Sequence, residues 1–191
     1  MTQFENQENA KRYFKDVVDL IDFLETHNYI CVLDSGTLLG YTRENGIINH
    51  DHDFDIAVFV EGDTLDQIIE NYFKLVELIE KKGGYFPVSN SIHIRVRRTF
   101  DIDIFLGFIY EDKVYVFPHI KGLEKEVYFP IEKKDFYGYK VPIPNNPELI
   151  CEEIYGKSWR IPDPNFRYDW FVKDNVLRKI KRKINGRNQK D

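Results

Sequence analysis

Two short stretches that alternate aspartate with large apolar residues constrain the fold more than any other feature of this sequence. They are HDFDIAVFV, residues 52–60, and FDIDIFLGF, residues 100–108. Successive side chains of a β-strand point to opposite faces, so this alternation predicts strands with one apolar and one acidic face. Carboxylates are costly beside a buried core unless a partner compensates their charge. The two stretches therefore predict a site as well as a core.

The acidic faces supply the candidate site residues. Asp53 and Asp55 share a face of the first strand, Asp51 comes just before them, and Asp101 and Asp103 share a face of the second. If the strands are neighbours, these carboxylates converge, and one of them tends to hold a proton unless a cation is bound. Mg²⁺ prefers oxygen ligands and is commonly shared between carboxylates and substrate phosphates. We interpret the cluster as a metal-dependent phosphate site that uses Mg²⁺ or Mn²⁺.

The acidic stretch has two other interpretations. A D-x-D-x-D pattern also opens an EF-hand loop, but Ile56 and Gly62 stand at loop positions six and twelve, where that loop needs Gly and Glu. The EF-hand is therefore excluded. A solvated edge strand with an acidic outer face stays open for a single stretch of this kind, although the second acidic strand weighs against it.

The segment SGTLLG, between the first strand and the acidic strand, predicts a turn at which phosphate binds. Gly36 lets backbone amides approach a phosphate closely, and Ser35 and Thr37 add hydroxyl groups. Arg95 precedes the second acidic strand and would suit a bidentate phosphate contact, while cross-strand pairing with acidic residues explains it equally well. Two histidines carry no pattern and are interpreted as ordinary: His93 and His119.

Periodicity along the rest of the chain predicts a mixed α/β fold, with helices packed on a mixed sheet rather than a regular βαβ array. The length, 191 residues, suits one domain, which we place at residues 1–170 and follow with a basic segment at residues 171–191. The predicted elements are a helix near residues 6–28, a strand Tyr29–Leu33, a helix capped by Asp63 and stopped by Gly83-Gly84, a β-rich middle, a helix between Pro147 and Gly156, and a last helix from Phe171 to Ile184.

Composition narrows the class of protein. Hydrophobic residues make up 42% and aromatic residues 15% of the chain, as in a globular protein. The net charge of -5 does not favour nucleic acid as a partner. The two cysteines are too few for a disulfide framework, and the polar N-terminus is not a signal peptide. We expect a cytoplasmic protein.

The end of the chain is strongly basic. Residues 173–191 carry eight Lys or Arg and two Asp, a charge of +6. Its apolar residues fall on one side of the predicted helix: Val176, Leu177, Ile180 and Ile184. Such a helix either lies on an anionic membrane surface, which would make the protein peripheral to the membrane, or packs on the domain. Both alternatives stay open at this point.

Several motifs together resemble the signature of the LicD family, which includes the fukutin-type proteins. They are GTLLGYTRENGIINHDHDFDIAV, then FDIDIF, then FPIEKKDFYGYKVPIPNNPELICEEIYGKSW. The resemblance extends over roughly Val17 to Pro162 and is specific as an ordered set. The family pattern has Trp and Asp where this chain has His50 and His52, so the shape of the donor pocket is expected to differ.

The resemblance implies a nucleotidyltransferase-like fold and the transfer of phosphocholine, or a related phospho-alcohol, from a CDP-linked donor to a sugar hydroxyl of a cell-surface glycan. It implies Asp53, Asp55 and Asp103 as metal ligands, with Asp103 alternatively a general base. The resemblance also implies Gly36, Thr37, Gly40 and Arg43 as residues that bind the donor phosphates. It implies that Tyr155, Gly156 and Trp159 close the site. To these we add Ser35 and Asp51 as donor-binding residues and Arg95 as a substrate-binding residue. Two alternatives remain, a nucleotidyltransferase that attaches NMP to a small molecule or RNA, and an inactive nucleotide-binding scaffold.

Overall fold

The computed structural model describes residues 7–48, 50–87, 92–167, 172 and 174–188. Within these residues the helices are α1 Gln7–Thr26, α2 Ser35–Leu39, α3 Leu65–Lys82, α4 Lys125–Tyr128, α5 Pro147–Tyr155 and α6 Asn175–Asn188, and α2 continues into a π-helical turn, Gly40–Glu44. The strands are β1 Ile30–Leu33, β2 Asp53–Val60, β3 Tyr85–Pro87, β4 Ile94–Val96, β5 Asp101–Tyr110, β6 Lys113–Val116, β7 Ile120–Glu124, β8 Glu132–Phe136 and β9 Tyr139–Ile143.

The two acidic strands lie side by side in the main sheet. Its order is β1-β2-β5-β4-β3, and β6 pairs with the second half of β5 and with β7. The β2–β5 pair is parallel, and every other pair is antiparallel. β8 and β9 form a separate antiparallel hairpin. This is the expected mixed sheet with helices packed on it.

β2 is buried along almost its whole length. It runs between β1 and β5, and Phe54 to Val60 are all buried. A strand that is covered on both faces is normally apolar nearly throughout. Asp53 and Asp55 are therefore exceptions within a covered strand, and their alternation with apolar residues does not indicate a solvent-exposed face. The alternative of a solvated edge strand is therefore wrong.

The helices follow the predicted patterns, with small differences at their ends. Thr64, not Asp63, caps α3, because its hydroxyl accepts from the backbone N–H of Gln67 while the Gln67 side chain accepts from the Thr64 N–H. This reciprocal pair satisfies two amides that a helix start leaves open. Asn146 caps α5 by accepting from the backbone N–H of Leu149. Gly83 ends α3, and Gly156 ends α5, as predicted.

α1 packs on the sheet through a fully buried aromatic side chain. The ring of Phe14 meets those of Phe54 and Phe136 edge to face, at centroid distances of 5.5 and 5.1 Å. Phe54 belongs to β2 and Phe136 to β8, so one residue of α1 joins the main sheet to the hairpin. Edge-to-face pairs of this kind add to the apolar burial.

The basic helix α6 begins later than expected, at Asn175, and the predicted start at Phe171 lies outside the described residues. Its residues Leu177, Ile180 and Ile184 are fully buried. Lys183 pairs with Asp66 of α3. The apolar side of α6 is thus occupied by the domain, as the packing alternative predicts, while its basic side remains exposed.

Among the described residues, no helix combines the length and the apolar character that crossing a bilayer requires.

Candidate active site

Strand register brings the two acidic stretches together. In the parallel β2–β5 pair, Asp53 stands opposite Asp101, and Asp55 stands opposite Asp103. Asp55 and Asp103 are only 7% and 4% exposed. Neighbouring parallel strands place equivalent side chains on the same face, so the convergence that the sequence predicts is confirmed.

The closest group of carboxylates is not the predicted one. One oxygen each of Asp51, Asp53 and Asp55 lies within 4.8 Å of the others. Asp103, which was expected as the third ligand, is instead bound to Arg95. Asp51, which was expected to contact the donor, belongs to the group instead and lies two residues before the start of β2.

Burial raises the pKa of all three carboxyl groups, and repulsion from neighbouring carboxylates raises those of Asp53 and Asp55 further. Burial, followed by repulsion from Asp51 and Asp103, raises the pKa of Asp53 to about 8. Burial, followed by repulsion from Asp53, raises the pKa of Asp55 well above its usual range. Burial likewise raises the pKa of Asp51. Crowding of this kind is relieved by protonation or by a cation.

The donor set fits a hard divalent cation. All three donors are carboxylate oxygens, the ligand type that Mg²⁺ and Mn²⁺ prefer. Their separation, within 4.8 Å, is close to the roughly 3 to 4 Å between oxygens bound to one Mg²⁺. Asp51, Asp53 and Asp55 would therefore hold such an ion after a small contraction of the group.

The start of α2 holds Asp55 in place. Its Oδ2 accepts hydrogen bonds from the backbone N–H groups of Gly36, at 2.8 Å, and Thr37, at 3.3 Å. The Thr37 hydroxyl in turn accepts from the Asp55 N–H at 2.8 Å. The segment predicted as a phosphate-binding turn is thus a helix start, and the amides expected to meet a phosphate are used by Asp55.

Gly36 is required here by the close approach of the carboxylates. A Cβ at this position would lie 2.6 Å from Asp51 Oδ2 and 3.0 Å from Asp55 Oδ2. Only a residue without a side chain leaves that space. The glycine that the sequence assigned to the donor therefore makes room for the carboxylates of Asp51 and Asp55.

Arg95 compensates the acidic group from the neighbouring strand. Register places it opposite Asp103, whose two oxygens accept from its Nε at 2.6 Å and its Nη2 at 2.7 Å. The same Nη2 lies 3.3 Å from Asp53 Oδ2. Cross-strand pairing, one of the two explanations offered for Arg95, is therefore what the structure shows.

These side chains face a cavity of about 780 Å³. Ten of the residues expected at the site line it: Ser35, Gly36, Arg43, Asp51, Asp53, Asp55, Arg95, Asp103, Tyr155 and Trp159. Three expected residues are not among its lining: Thr37, Gly40 and Gly156. The site is thus assembled from β2, β4, β5, the α2 segment and the chain that follows α5.

The absence of Gly40 and Gly156 from the lining has a structural reason. A Cβ on Gly40 would lie 2.5 Å from the Gly46 carbonyl oxygen, so this glycine permits a close backbone crossing. Gly156 ends α5 with a φ of 83°, a conformation that favours glycine. Both residues support the fold around the site and do not contact the cavity.

The C-terminal wall of the cavity is anchored to the segment after α2. Arg43 Nη1 donates to the Trp159 carbonyl oxygen at 3.1 Å. Trp159 is buried, and its indole N–H finds no partner among the residues described. Beyond Trp159, the wall continues through apolar residues that the sequence analysis did not select: Ile161, Pro162, Pro164 and Phe166.

A buried polar network lies beside the carboxylates and was missed from the sequence. The Ser35 hydroxyl lies 3.2 Å from Asp34 Oδ2 and 3.2 Å from His119 Nε2. Burial raises the pKa of Asp34 to about 7 and lowers that of His119 to about 3. Ser35 itself has a φ of 44°, uncommon for a residue with a side chain.

His93 is likewise more than an ordinary residue, because its Nε2 lies 3.6 Å from Asp103 Oδ2. His50 joins the cavity lining as well. His93 directly precedes β4, and His119 directly precedes β7. The pairing of these strands in the sheet, which the sequence does not specify, brings both histidines to this region. The position of Asp34, directly after an apolar strand, was the one available signal for this network.

Comparison with known proteins agrees with this geometry. The model of the LicD/FKTN/FKRP nucleotidyltransferase domain matches residues 28–146, which include α2 and both acidic strands. The chain belongs to the LicD family. The LicD match ends before α5, so Tyr155 and Trp159 lie outside it.

Two relatives of this LicD chain are identical to it at about a quarter of the aligned residues. Mouse ribitol-5-phosphate transferase FKTN is 28% identical over 145 residues, 72% of this chain and 30% of that protein. The uncharacterized protein T07A5.1 of Caenorhabditis elegans is 24% identical over 183 residues, 89% of this chain and 48% of that protein. The LicD chain thus spans less than half the length of either relative.

A solved structure supports the fold assignment. The antibiotic-resistance factor ANT(2″)-Ia superposes with a TM-score of 0.52 at 8% identity, over 97% of this chain and 96% of that one. At this identity the likeness concerns the fold alone. Together with the LicD match, it confirms the nucleotidyltransferase-like fold.

Proposed function

We propose that this LicD-family chain is a metal-dependent phosphotransferase. It moves a phospho-alcohol from a CDP-activated donor to a sugar hydroxyl of a cell-surface glycan. The observation that carries the proposal is the gathering of Asp51, Asp53 and Asp55 oxygens within 4.8 Å at a cavity large enough for a nucleotide donor. The name of the fukutin relative, a ribitol-5-phosphate transferase, supports a phospho-alcohol as the transferred group.

In this proposal the acceptor hydroxyl oxygen forms a bond to the phosphorus that carries the alcohol. The bond between that phosphorus and the oxygen bridging to CMP breaks, and CMP leaves with the bond's electron pair. A divalent cation bound to the carboxylates supplies charge neutralisation for the phosphates. Asp103 is the candidate to take the hydroxyl proton, and its release from Arg95 is needed before it acts as a base.

The remaining cavity residues bind and orient the substrates. Arg43 lies on the wall with one guanidinium nitrogen already fixed to Trp159, which suits a pre-positioned phosphate contact. Tyr155 and Trp159 give the same side an aromatic surface against which a sugar or base ring packs. Excluding water on this side favours transfer to the glycan over hydrolysis.

The exposed basic side of α6 adds a membrane contact to the proposal. Arg178, Lys179 and Arg182 are exposed, and the apolar side of the helix is buried. Cationic residues near an anionic leaflet contribute about 1 kcal/mol each. The proposed acceptor is therefore a glycan presented at an anionic membrane surface.

The test is product analysis with matched donors. The protein is incubated with CDP-ribitol, CDP-choline, CDP-glycerol or CTP, with and without Mg²⁺ or Mn²⁺, in the presence of a sugar acceptor. Release of CMP from a CDP-alcohol, abolished by EDTA, supports the proposal. Pyrophosphate release from CTP would identify a nucleotidyltransferase instead, and binding without turnover would identify a scaffold.

Two aspartate variants control this experiment. Asp53→Asn removes a member of the carboxylate group. Asp101→Asn is the control, because Asp101 stands opposite Asp53 on β5 but lies outside that group. The Asp101 carboxylate pairs with Arg95 and Arg97. Loss of CMP release in the first variant alone would place the chemistry at the carboxylate group. Equal loss in both would indicate a general disturbance of the sheet.

A further inference from the structure

Arg95 stands where a cation shared by Asp53 and Asp103 would stand. Its guanidinium contacts both oxygens of Asp103 and reaches Asp53 Oδ2 at 3.3 Å. The side chain is only 22% exposed, and it lines the cavity. Charge-assisted hydrogen bonds of this geometry are among the stronger ones in proteins.

Asp53 belongs to two arrangements at once. It is one of the three carboxylates close enough to hold a divalent ion, and it is also a partner of Arg95. A carboxylate that binds a divalent ion loses much of its attraction for a nearby guanidinium, because the two cations repel each other. Binding of the ion and binding of Arg95 to Asp53 therefore oppose each other.

We infer that Arg95 is the counter-cation of the metal-free site and competes with the divalent ion for Asp53, an inference that rests on the metal site of the proposed function. Entry of the ion displaces the guanidinium from Asp53. The released nitrogen faces the cavity, where a donor phosphate is its complementary partner. Metal and donor then strengthen each other's binding through one side chain.

The test measures Mn²⁺ affinity directly, by the electron paramagnetic resonance signal of the free ion. Arg95→Gln removes the competitor and is expected to bind Mn²⁺ about tenfold tighter than the wild type, as suits the loss of a partly buried charged contact. Arg97→Gln removes the same charge one residue beyond β4, from a side chain that is 59% exposed and pairs with Asp101. Its affinity is expected to change by about twofold or less, because solvent screens exposed charges.

Addition of CDP supplies the second readout. CDP is expected to tighten Mn²⁺ binding severalfold in the wild type and much less in Arg95→Gln, which lacks the guanidinium that meets the phosphate. Arg95→Lys keeps the charge without the planar fork and is expected to lie between the two. This variant also serves if Arg95→Gln does not fold.

The outcomes separate the inference from the proposed function. If the wild type binds Mn²⁺ and neither substitution of Arg95 tightens binding beyond Arg97→Gln, competition is refuted and the metal site stands. If the wild type and all three variants fail to bind Mn²⁺ with CDP present, the metal site itself is refuted, and the inference with it. Tighter binding in Arg95→Gln than in Arg97→Gln and the wild type, with Arg95→Lys between, supports both.

Discussion

Removing one crowded carboxylate should make the metal-free protein more stable while destroying its activity. The pKa of Asp53 rises from 3.8 to about 8, and each pKa unit corresponds to about 1.4 kcal/mol. Ionising Asp53 in the folded protein therefore costs at most about 6 kcal/mol. The side chain is 24% exposed, and Asn loses the contact with Arg95, so we expect a net gain of about 1 to 3 kcal/mol for Asp53→Asn.

The pH dependence of this gain has a definite sign. The folded protein keeps the Asp53 proton to a higher pH than the unfolded chain, so this group makes wild-type stability fall as the pH rises from about 4 to about 8. The advantage of Asp53→Asn should be small at pH 4 and largest at pH 8 and above. For a chain of this size, about 1 to 3 kcal/mol corresponds to a shift in Tm of roughly 3 to 10 °C.

The assay is thermal unfolding in EDTA at pH 4 and pH 8, repeated with Mg²⁺ at pH 8, together with CMP release. Asp101→Asn is the matched control and should gain no stability, because Asp101 lies outside the carboxylate group. Mg²⁺ should stabilise the wild type and have little effect on Asp53→Asn. The reasoning is refuted if Asp53→Asn melts below the wild type in EDTA at pH 8, or if it keeps wild-type turnover.

Four further predictions concern the surroundings of the site and the basic helix α6. Asp34→Asn should raise the free energy of unfolding at pH 8 and not at pH 4, measured by urea titration, because burial raises the pKa of Asp34 to about 7 and folding disfavours its charge. Gly40→Ala should destabilise the fold by about 2 kcal/mol or more, because the new Cβ would lie 2.5 Å from the Gly46 carbonyl oxygen. Gly186→Ala in α6 is the control, because a Cβ there meets nothing within 4 Å. In thermal melts this control should be neutral or stabilising. Truncation after Phe171 should lower Tm, because it removes the buried face of α6. Replacing Arg178, Lys179 and Arg182 together by Glu should leave Tm nearly unchanged and abolish binding to anionic vesicles at low salt. If the unsubstituted full chain does not bind such vesicles, the membrane contact is refuted.

The sequence was sufficient to predict the acidic strands, because their alternation has a direct meaning on a pleated strand. It also indicated that the carboxylates converge if the two strands are neighbours, which they are. It did not predict that Asp51 replaces Asp103 in the carboxylate group. That outcome depends on Arg95, whose position opposite Asp103 is set by the register of β4 with β5. Register between distant strands is a tertiary property that one sequence does not specify.

The α2 segment shows a second limit. Gly36 and Thr37 suggested a turn because glycine and short polar residues favour turns. In the folded protein the carboxylate of Asp55 satisfies the amides of both residues, and that contact stabilises a helix start. The partner lies 18 and 19 residues away in the chain, so local propensity contained no information about it.

The order of the site residues along the chain determines which of them are exposed while the protein is being synthesised. The carboxylates of residues 51–55 emerge from the ribosome about 40 residues before Arg95 and before the parallel partner strand β5. Until then β2 has an apolar sequence, FDIAVFV, and an edge with no partner from β5. Exposed strands of this kind associate with copies of themselves unless charged residues repel the copies. During that interval the charges of Asp51, Asp53 and Asp55 would oppose such association, before Arg95 has been added to the chain.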